Sequence, residues 1–234
     1  MSQSEMDNFM HVVMLPFPRL TQLDLTGPHQ VLARFDELAL HLVWKNLDFV
    51  TDSGGLRLWP TANLSTCPKA DILFVPGGPG QIDLMDDAEV LAFLRRQGEG
   101  ASYVTSVCTG SLILAAAGLL TGYRATCHWL SIGQLSLFGV TPVQERVVID
   151  RNRITGAGVT SGIDFALTLS ALLFGEERAK EAQLAMEYDP RPPFHGGSVA
   201  SVSAELVDKL RAKNAAFQNE REEVARRAAD ALRG

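Results

Sequence analysis

Two hydrophobic periods alternate along this chain: short runs rich in β-branched residues give way to longer stripes at helical spacing. Residues 9–15, Phe-Met-His-Val-Val-Met-Leu, predict a buried strand, and Pro16 to Gln22 predicts a loop feeding a helix from about Thr26 to Phe35. Asp24 then sits just ahead of that helix. The alternation over 38–45 predicts a second strand, and Ser53-Gly54-Gly55 within 48–59 predicts a small hairpin. Asp71 to Val75 reads as a short apolar strand that stops at Pro76-Gly77-Gly78-Pro79-Gly80, with a helix following around Asp86 to Gln97.

Further along, Tyr103-Val104-Thr105-Ser106-Val107 meets Cys108-Thr109-Gly110 and then an alanine- and leucine-rich helix ending at Gly118. This is a strand, a sharp turn and a helix. Strand-like segments near 143–149 and 153–157 lead to Ser161-Gly162-Ile163-Asp164, a capping-box pattern for a helix running to about Phe174. Pro190, Pro192 and Pro193 impose an extended crossing before a last helix from about 201 to 232. In that helix Leu206, Leu210, Phe217, Val224 and Ala228 share one stripe, expected to dock on the core or on a second subunit. Strands alternating with helices predict an α/β fold, a doubly wound, mostly parallel sheet with helices on both faces. With no repeat and no long linker, residues 1–234 are expected to form one domain, 188–234 being a C-terminal arm and helix.

Composition narrows the class. At 234 residues, 46 % hydrophobic and 21 % charged, the chain has the makings of a substantial core, which excludes disordered and fibrous readings. The net charge is −6, and Arg221, Arg226 and Arg227 alternate with Glu220, Glu222 and Glu223, so no nucleic-acid footprint is expected. Met1 to Met10 is polar and acidic, unlike a secretory signal, and Gly118 and Gly122 interrupt the best apolar stretch, so a membrane span is not expected. The expected location is the cytoplasm, where the odd set Cys67, Cys108 and Cys127 would be free thiols.

In open parallel sheets ligands sit beyond the carboxyl ends of the strands, and two such ends here are glycine-rich: Pro76 to Gly80 and Cys108 to Gly110. A thiol on the second turn would meet a helix N-terminus, which favours the thiolate and so a nucleophile. The N–H groups of Thr109 and Gly78 would then cradle developing negative charge. The bland alternative is a small buried cysteine ending a core strand. Asp24 can be read as a helix cap, or as a carboxyl group facing Cys108 that shares a proton with it. His128 can be the base of a Cys–His pair, or a histidine of the pocket rim or core. Asp164 is expected to cap its helix through Ser161. No metal site is expected, because His11, His29, His41, His128 and His195 show no ligand spacing, and Gly77 to Gly80 lacks a dinucleotide fingerprint.

Val107-Cys108-Thr109-Gly110-Ser111, with Ala115 to Leu120, Gly122 and Ala125-Thr126-Cys127-His128-Trp129, resembles the nucleophile region of the PfpI/ThiJ-like superfamily. Leu23-Asp24-Leu25-Thr26-Gly27-Pro28 and Pro76-Gly77-Gly78 match its other two pocket segments. Within it, Tyr103 to Leu120, Glu145-Arg146-Val147-Val148, Thr155 to Leu169 and Glu187-Tyr188 to Phe194 are most similar to bacterial isocyanide hydratases. The likeness spans about residues 11 to 232.

The resemblance implies a flavodoxin-like sandwich, a homodimer, and a catalytic Cys108 that needs no cofactor and no metal. It implies Asp24 as the proton carrier, Thr109 as the group orienting water or Asp24, and Gly78 and His128 lining the substrate site. Cys127 stands where threonine is usual. Thr109 replaces the histidine of the protease-like members, and the late His-x-Glu of the amidotransferases is absent, so both chemistries fall away. The implied reaction is hydration of a small-molecule isocyanide to an N-substituted formamide. Two alternatives stand beside it: a ligand sensor like the amidotransferase-like domains of transcription regulators, for which one helix after Pro193 leaves no helix-turn-helix module, and a glyoxalase-like stress-protective thiol protein.

Overall fold

The computed structural model describes residues 9–234; residues 1–8, the start of the polar N-terminal segment and of the expected 1–234 domain, lie outside the described residues. A seven-stranded sheet organises them. Its strands are β1 (Met10–Met14), β2 (Leu38–Trp44), β5 (Ala62–Asn63), β6 (Ile72–Val75), β7 (Tyr103–Val107), β10 (Val147–Asp150) and β11 (Arg153–Gly156), in the order β10-β11-β7-β6-β1-β2-β5. All neighbours are parallel except the edge pair β10 and β11. Two short pairs lie apart from the sheet: β3 (Val50–Thr51) with β4 (Arg57–Leu58), which is the expected hairpin, and β8 (Arg124–Ala125) with β9 (Thr141–Pro142).

The central strands are apolar throughout because both of their faces are covered: every residue of β6 is buried, as are Val12, Val13 and Met14 of β1. The described residues form seven α-helices, α1 (Gln22–Leu32), α2 (Gln81–Met85), α3 (Ala88–Gly100), α4 (Gly110–Ala116), α5 (Ser161–Phe174), α6 (Glu176–Ala185) and α7 (Ala204–Arg233), of which α1, α3, α4 and α5 cover the sheet directly. Helix α1 packs on α5 and α5 on α6, whereas α4 packs against α2, α3 and α7. Gly162 lets the first of these contacts close, since a Cβ there would lie 3.0 Å from Pro28 Cδ. A 3₁₀ segment, Ile132–Phe138, packs against α4 and α7.

Three expectations need correcting. Helix α1 begins at Gln22 rather than near Thr26 and carries Pro28 in its interior, so Asp24 lies in its first turn and not ahead of it. Gly27-Pro28 is an unfavourable pair for a helix interior, and packing against Gly162 keeps the helix intact across it. The capping box at Ser161 does not form: Thr160 is the N-cap, without a side-chain bond, and the Ser161 hydroxyl is buried without a partner. Asp164 is instead bound by Arg146 and, at 3.0 Å, by the Tyr188 hydroxyl. The stripe on α7 docks only through its later part. Val224 and Ala228 are buried, but Leu206 and Leu210 remain exposed. Helices α2 and α6 were not anticipated. No helix among the described residues is long and apolar enough to cross a membrane.

Candidate active site

The carboxyl ends of β6 and β7 lie side by side, and the two glycine-rich turns beyond them meet. Cys108 sits at the sharper turn, with a left-handed backbone (φ 57°) that a non-glycine residue adopts only under constraint. Part of that constraint is its N–H, which donates to Gly156 O at 3.0 Å at the end of β11. The elbow is tight: a Cβ on Gly110 would stand 2.2 Å from Val75 O, so only glycine lets α4 start against β6.

Asp24 is fully buried and faces this elbow from α1. Its Oδ2 accepts the Gly77 N–H at 3.0 Å, and its Oδ1 has no hydrogen-bond partner. The carboxyl group therefore does not cap its own helix. Burial raises its pKa to about 7, partly offset by the Cys108 thiol and the Gly77 N–H. The same burial, with Asp24 and Cys127 close by, pushes the Cys108 thiol well above its ordinary value, although the Thr109 N–H pulls the other way. This corrects the expectation of a thiolate favoured by the helix N-terminus. In the resting site, desolvation and the carboxyl group outweigh the helix end, and the pair holds its proton mainly as a thiol.

The Thr109 hydroxyl accepts the Gly78 N–H at 3.0 Å and lies 3.3 Å from Gly78 O, to which it donates. It ties one glycine-rich turn to the other rather than reaching Asp24. The Gly78 N–H is thereby engaged and not free to meet an oxyanion, so the role expected for Gly78 shifts to shape. At φ 137°, with a would-be Cβ 2.3 Å from Thr21 N, the position requires glycine. Thr109→Val keeps the volume but leaves the Gly78 N–H buried without a partner, which costs about 1–3 kcal/mol. Thermal melting should register that loss, while kcat is expected to fall by roughly tenfold at most, because the hydroxyl is engaged with the Gly78 N–H and carbonyl rather than with Asp24.

His128 makes no hydrogen bond to Cys108; its Nδ1 accepts the Leu130 N–H at 3.3 Å. Burial and the nearby Arg221 charge pull its pKa down. It lines a cavity of about 420 Å³ together with Cys127, Trp129, Arg146, Gly158 and Leu206. Cys127 itself is buried, its thiol pushed up to about 12. His11 and His41, on neighbouring strands, meet at 3.0 Å through their ring nitrogens, a contact that sequence spacing did not signal. No group of three or more metal-ligating side chains occurs among the described residues.

Sequence reasoning missed Arg221, which α7 buries to 4 % exposure against the Ser131 hydroxyl. A signal existed: Arg221 falls between Phe217 and Val224 on the very stripe that packs inward, where a solvated charge has no place.

A family model described as the DJ-1/PfpI family matches residues 10–172. The chain is 50 % identical over 218 residues to the isonitrile hydratase of Pseudomonas putida, covering 93 % of this chain and 96 % of that one. It superposes on a crystal structure of a ThiJ/PfpI family protein from Pseudomonas syringae with TM-score 0.91 and 45 % identity, over 93 % and 90 % of the two chains. It is also 35 % identical over 136 residues to the HTH-type transcriptional regulator GbdR of Pseudomonas aeruginosa, but this covers 57 % of the chain and only 36 % of the regulator.

Proposed function

The chain belongs to the DJ-1/PfpI family, and from that premise we infer that it is an isocyanide hydratase, converting an isocyanide and water to an N-substituted formamide. The observation that carries this reading is the 50 % identity to the Pseudomonas putida isonitrile hydratase over nearly the full length of both chains.

We assign the chemistry to Cys108 and Asp24. The terminal carbon of an isocyanide is electrophilic towards soft sulfur. As the Cys108 sulfur attacks it, the Asp24 carboxylate takes the thiol proton and passes it to that carbon, giving a thioimidate, R–N=CH–S–Cys108. Water then adds to the same carbon: its oxygen forms the new C–O bond, and one of its protons reaches nitrogen through Asp24. The C–S bond breaks, the hydroxyl proton returns to sulfur, and R–NH–CHO departs. A carboxyl group with a pKa of about 7 suits both directions of transfer, because neither protonation state is costly at neutral pH. Thr109 holds the elbow against Gly78. The cavity that His128 lines includes Cys127 but not Cys108 in its wall, and we assign it to the substituent R. No step in this scheme calls for a cofactor or metal.

We further take the protein as a cytoplasmic homodimer built from one domain, residues 188–234 forming an arm and helix. Exposed Leu184 and Phe194 would be covered in such an assembly. The direct test is to mix the purified protein with an aromatic isocyanide and follow loss of the isocyanide together with appearance of the formamide mass. Turnover of that substrate is expected; conversion of methylglyoxal with no formamide formed would replace the assignment by a glyoxalase-like one.

A further inference from the structure

Two leucines of α7 stand out of place. Leu206 and Leu210 lie one turn apart on the stripe that docks inward further along, yet they are 42 % and 38 % exposed. Both line the cavity of about 420 Å³ described above, together with Val199 and Val202 of the arm that precedes the helix. One side of the cavity is thus built by the arm and the start of α7, and the facing side by Trp129, Ile132 and Val159.

The deep end of this cavity adjoins the elbow. Ala157, in its wall, follows Gly156, whose carbonyl holds the Cys108 N–H at 3.0 Å. Thr126, also in the wall, is fastened there twice: its carbonyl accepts the Ser111 hydroxyl of α4 at 2.7 Å, and its N–H donates to Thr155 Oγ1 at 2.9 Å. The outer wall is fastened separately. Where the arm begins, the Tyr188 hydroxyl donates to Asp164 Oδ1 at 3.0 Å, and Asp164 also holds Arg146 at the cavity rim. Where it ends, Ser203 caps α7 by accepting the Leu206 N–H at 3.3 Å.

Size and lining then select the occupant. A dry cavity of about 150 Å³ already accommodates a benzene ring, so this one has room for more than a single ring. Its charged residues, Glu145 and Arg146, are exposed at the rim, and Arg146 is committed to Asp164 and to the Thr160 carbonyl. The interior fits an uncharged, apolar group.

We propose that the arm and the first turns of α7 form the specificity wall of the site, Val202, Leu206 and Leu210 selecting isocyanides whose substituent is an uncharged apolar group larger than one ring. The proposal rests on the hydratase reading above and places selectivity on a segment far from Cys108 in the chain. A bulky substituent withdraws Leu206 and Leu210 from water, a gain that a methyl group cannot supply.

The test compares 1-adamantyl isocyanide with methyl isocyanide in wild type, Leu206→Trp and Leu210→Trp, beside binding of N-(1-adamantyl)formamide to wild type followed by Trp129 fluorescence. Wild type is expected to favour the adamantyl substrate by at least about tenfold in kcat/KM, and to bind its formamide with an emission change that Trp129→Phe removes. Each leucine-to-tryptophan change narrows the cavity from the arm side. It is expected to cut that preference at least about tenfold, through KM rather than kcat, because this wall touches the substituent and not the reacting carbon. Variants that melt like wild type and keep its preference overturn the proposal, as does a wild type that favours methyl isocyanide or shows no Trp129 response. Should neither variant fold, nuclear Overhauser contacts in the wild-type complex decide: a bound formamide that reaches neither the Leu206 nor the Leu210 methyl groups overturns the assignment. Formamide binding that competes with self-association in size exclusion would give the cavity to a second copy of the chain and overturn it as well. The formamide titration needs no turnover, so binding in this cavity without hydration of any isocyanide would sink the hydratase reading alone, whereas hydration without the preference would sink only the specificity wall.

Discussion

Replacing Cys108 by alanine is expected to abolish isocyanide hydration, by at least about a thousandfold, and to leave the fold in place. The backbone at this position is left-handed in either case, so the substitution relieves no strain and adds none. It deletes one buried sulfur from a well-packed elbow. Serine should fare little better, because its hydroxyl is a far weaker acid than the thiol and a harder nucleophile towards an isocyanide carbon. Formamide production, measured beside melting temperature, checks both variants. More than about 1 % of wild-type turnover in a well-folded Cys108→Ala protein would remove Cys108 from the nucleophile's role.

Asp24→Asn should separate chemistry from stability. Asparagine can still accept the Gly77 N–H, but it cannot carry a proton, and loss of a general acid–base group typically costs about a hundred- to ten-thousand-fold in rate. Stability should move the opposite way at high pH. The folded carboxyl group titrates near 7 whereas an ordinary aspartate titrates near 3.8, so the folded chain binds the proton more tightly than the unfolded chain does. That contribution is fully present below about pH 4 and is lost as the pH rises through about 7, amounting at most to ~4 kcal/mol. Denaturant melts should therefore find Asp24→Asn more stable than wild type above pH 8, by about 2–4 kcal/mol, with the advantage gone near pH 4. Near-normal turnover, or a variant equally destabilised at both pH values, would return Asp24 to a structural role.

Much of this architecture was legible because strand and helix periods rarely compete in the chain. Tyr103 to Val107 reads as a strand from its β-branched run alone, and Cys108 is marked by the glycine that must follow it for a helix to start so close to β6. Asp24 was found by its pattern, yet its setting was misread because Gly27-Pro28 suppresses the local helix signal and tertiary packing overrides it. The direction of the Cys108 shift was missed for a related reason. A helix N-terminus is visible in sequence, but the burial and the facing carboxyl group that outweigh it arise only when segments far apart converge. Arg221 escaped notice because its neighbours Glu220, Glu222 and Glu223 make the stretch read as solvated, although its own position on the helix turns inward.

The parallel sheet also governs when the reactive group comes into being. Gly77 follows Asp24 by 53 residues and Thr109 follows Gly78 by 31, while the carbonyl that holds the Cys108 N–H belongs to Gly156, on a strand made later still. Pairings of such long range form late in folding, since the chain must close large loops before any contact rewards it. A nascent chain that has emerged only as far as α4 therefore exposes Cys108 as an ordinary thiol, with neither Asp24 aligned beside it nor its backbone locked. The site's chemistry is acquired as the last crossover completes, and the burial that then suppresses the resting thiolate shelters the sulfur from stray oxidants between turnovers.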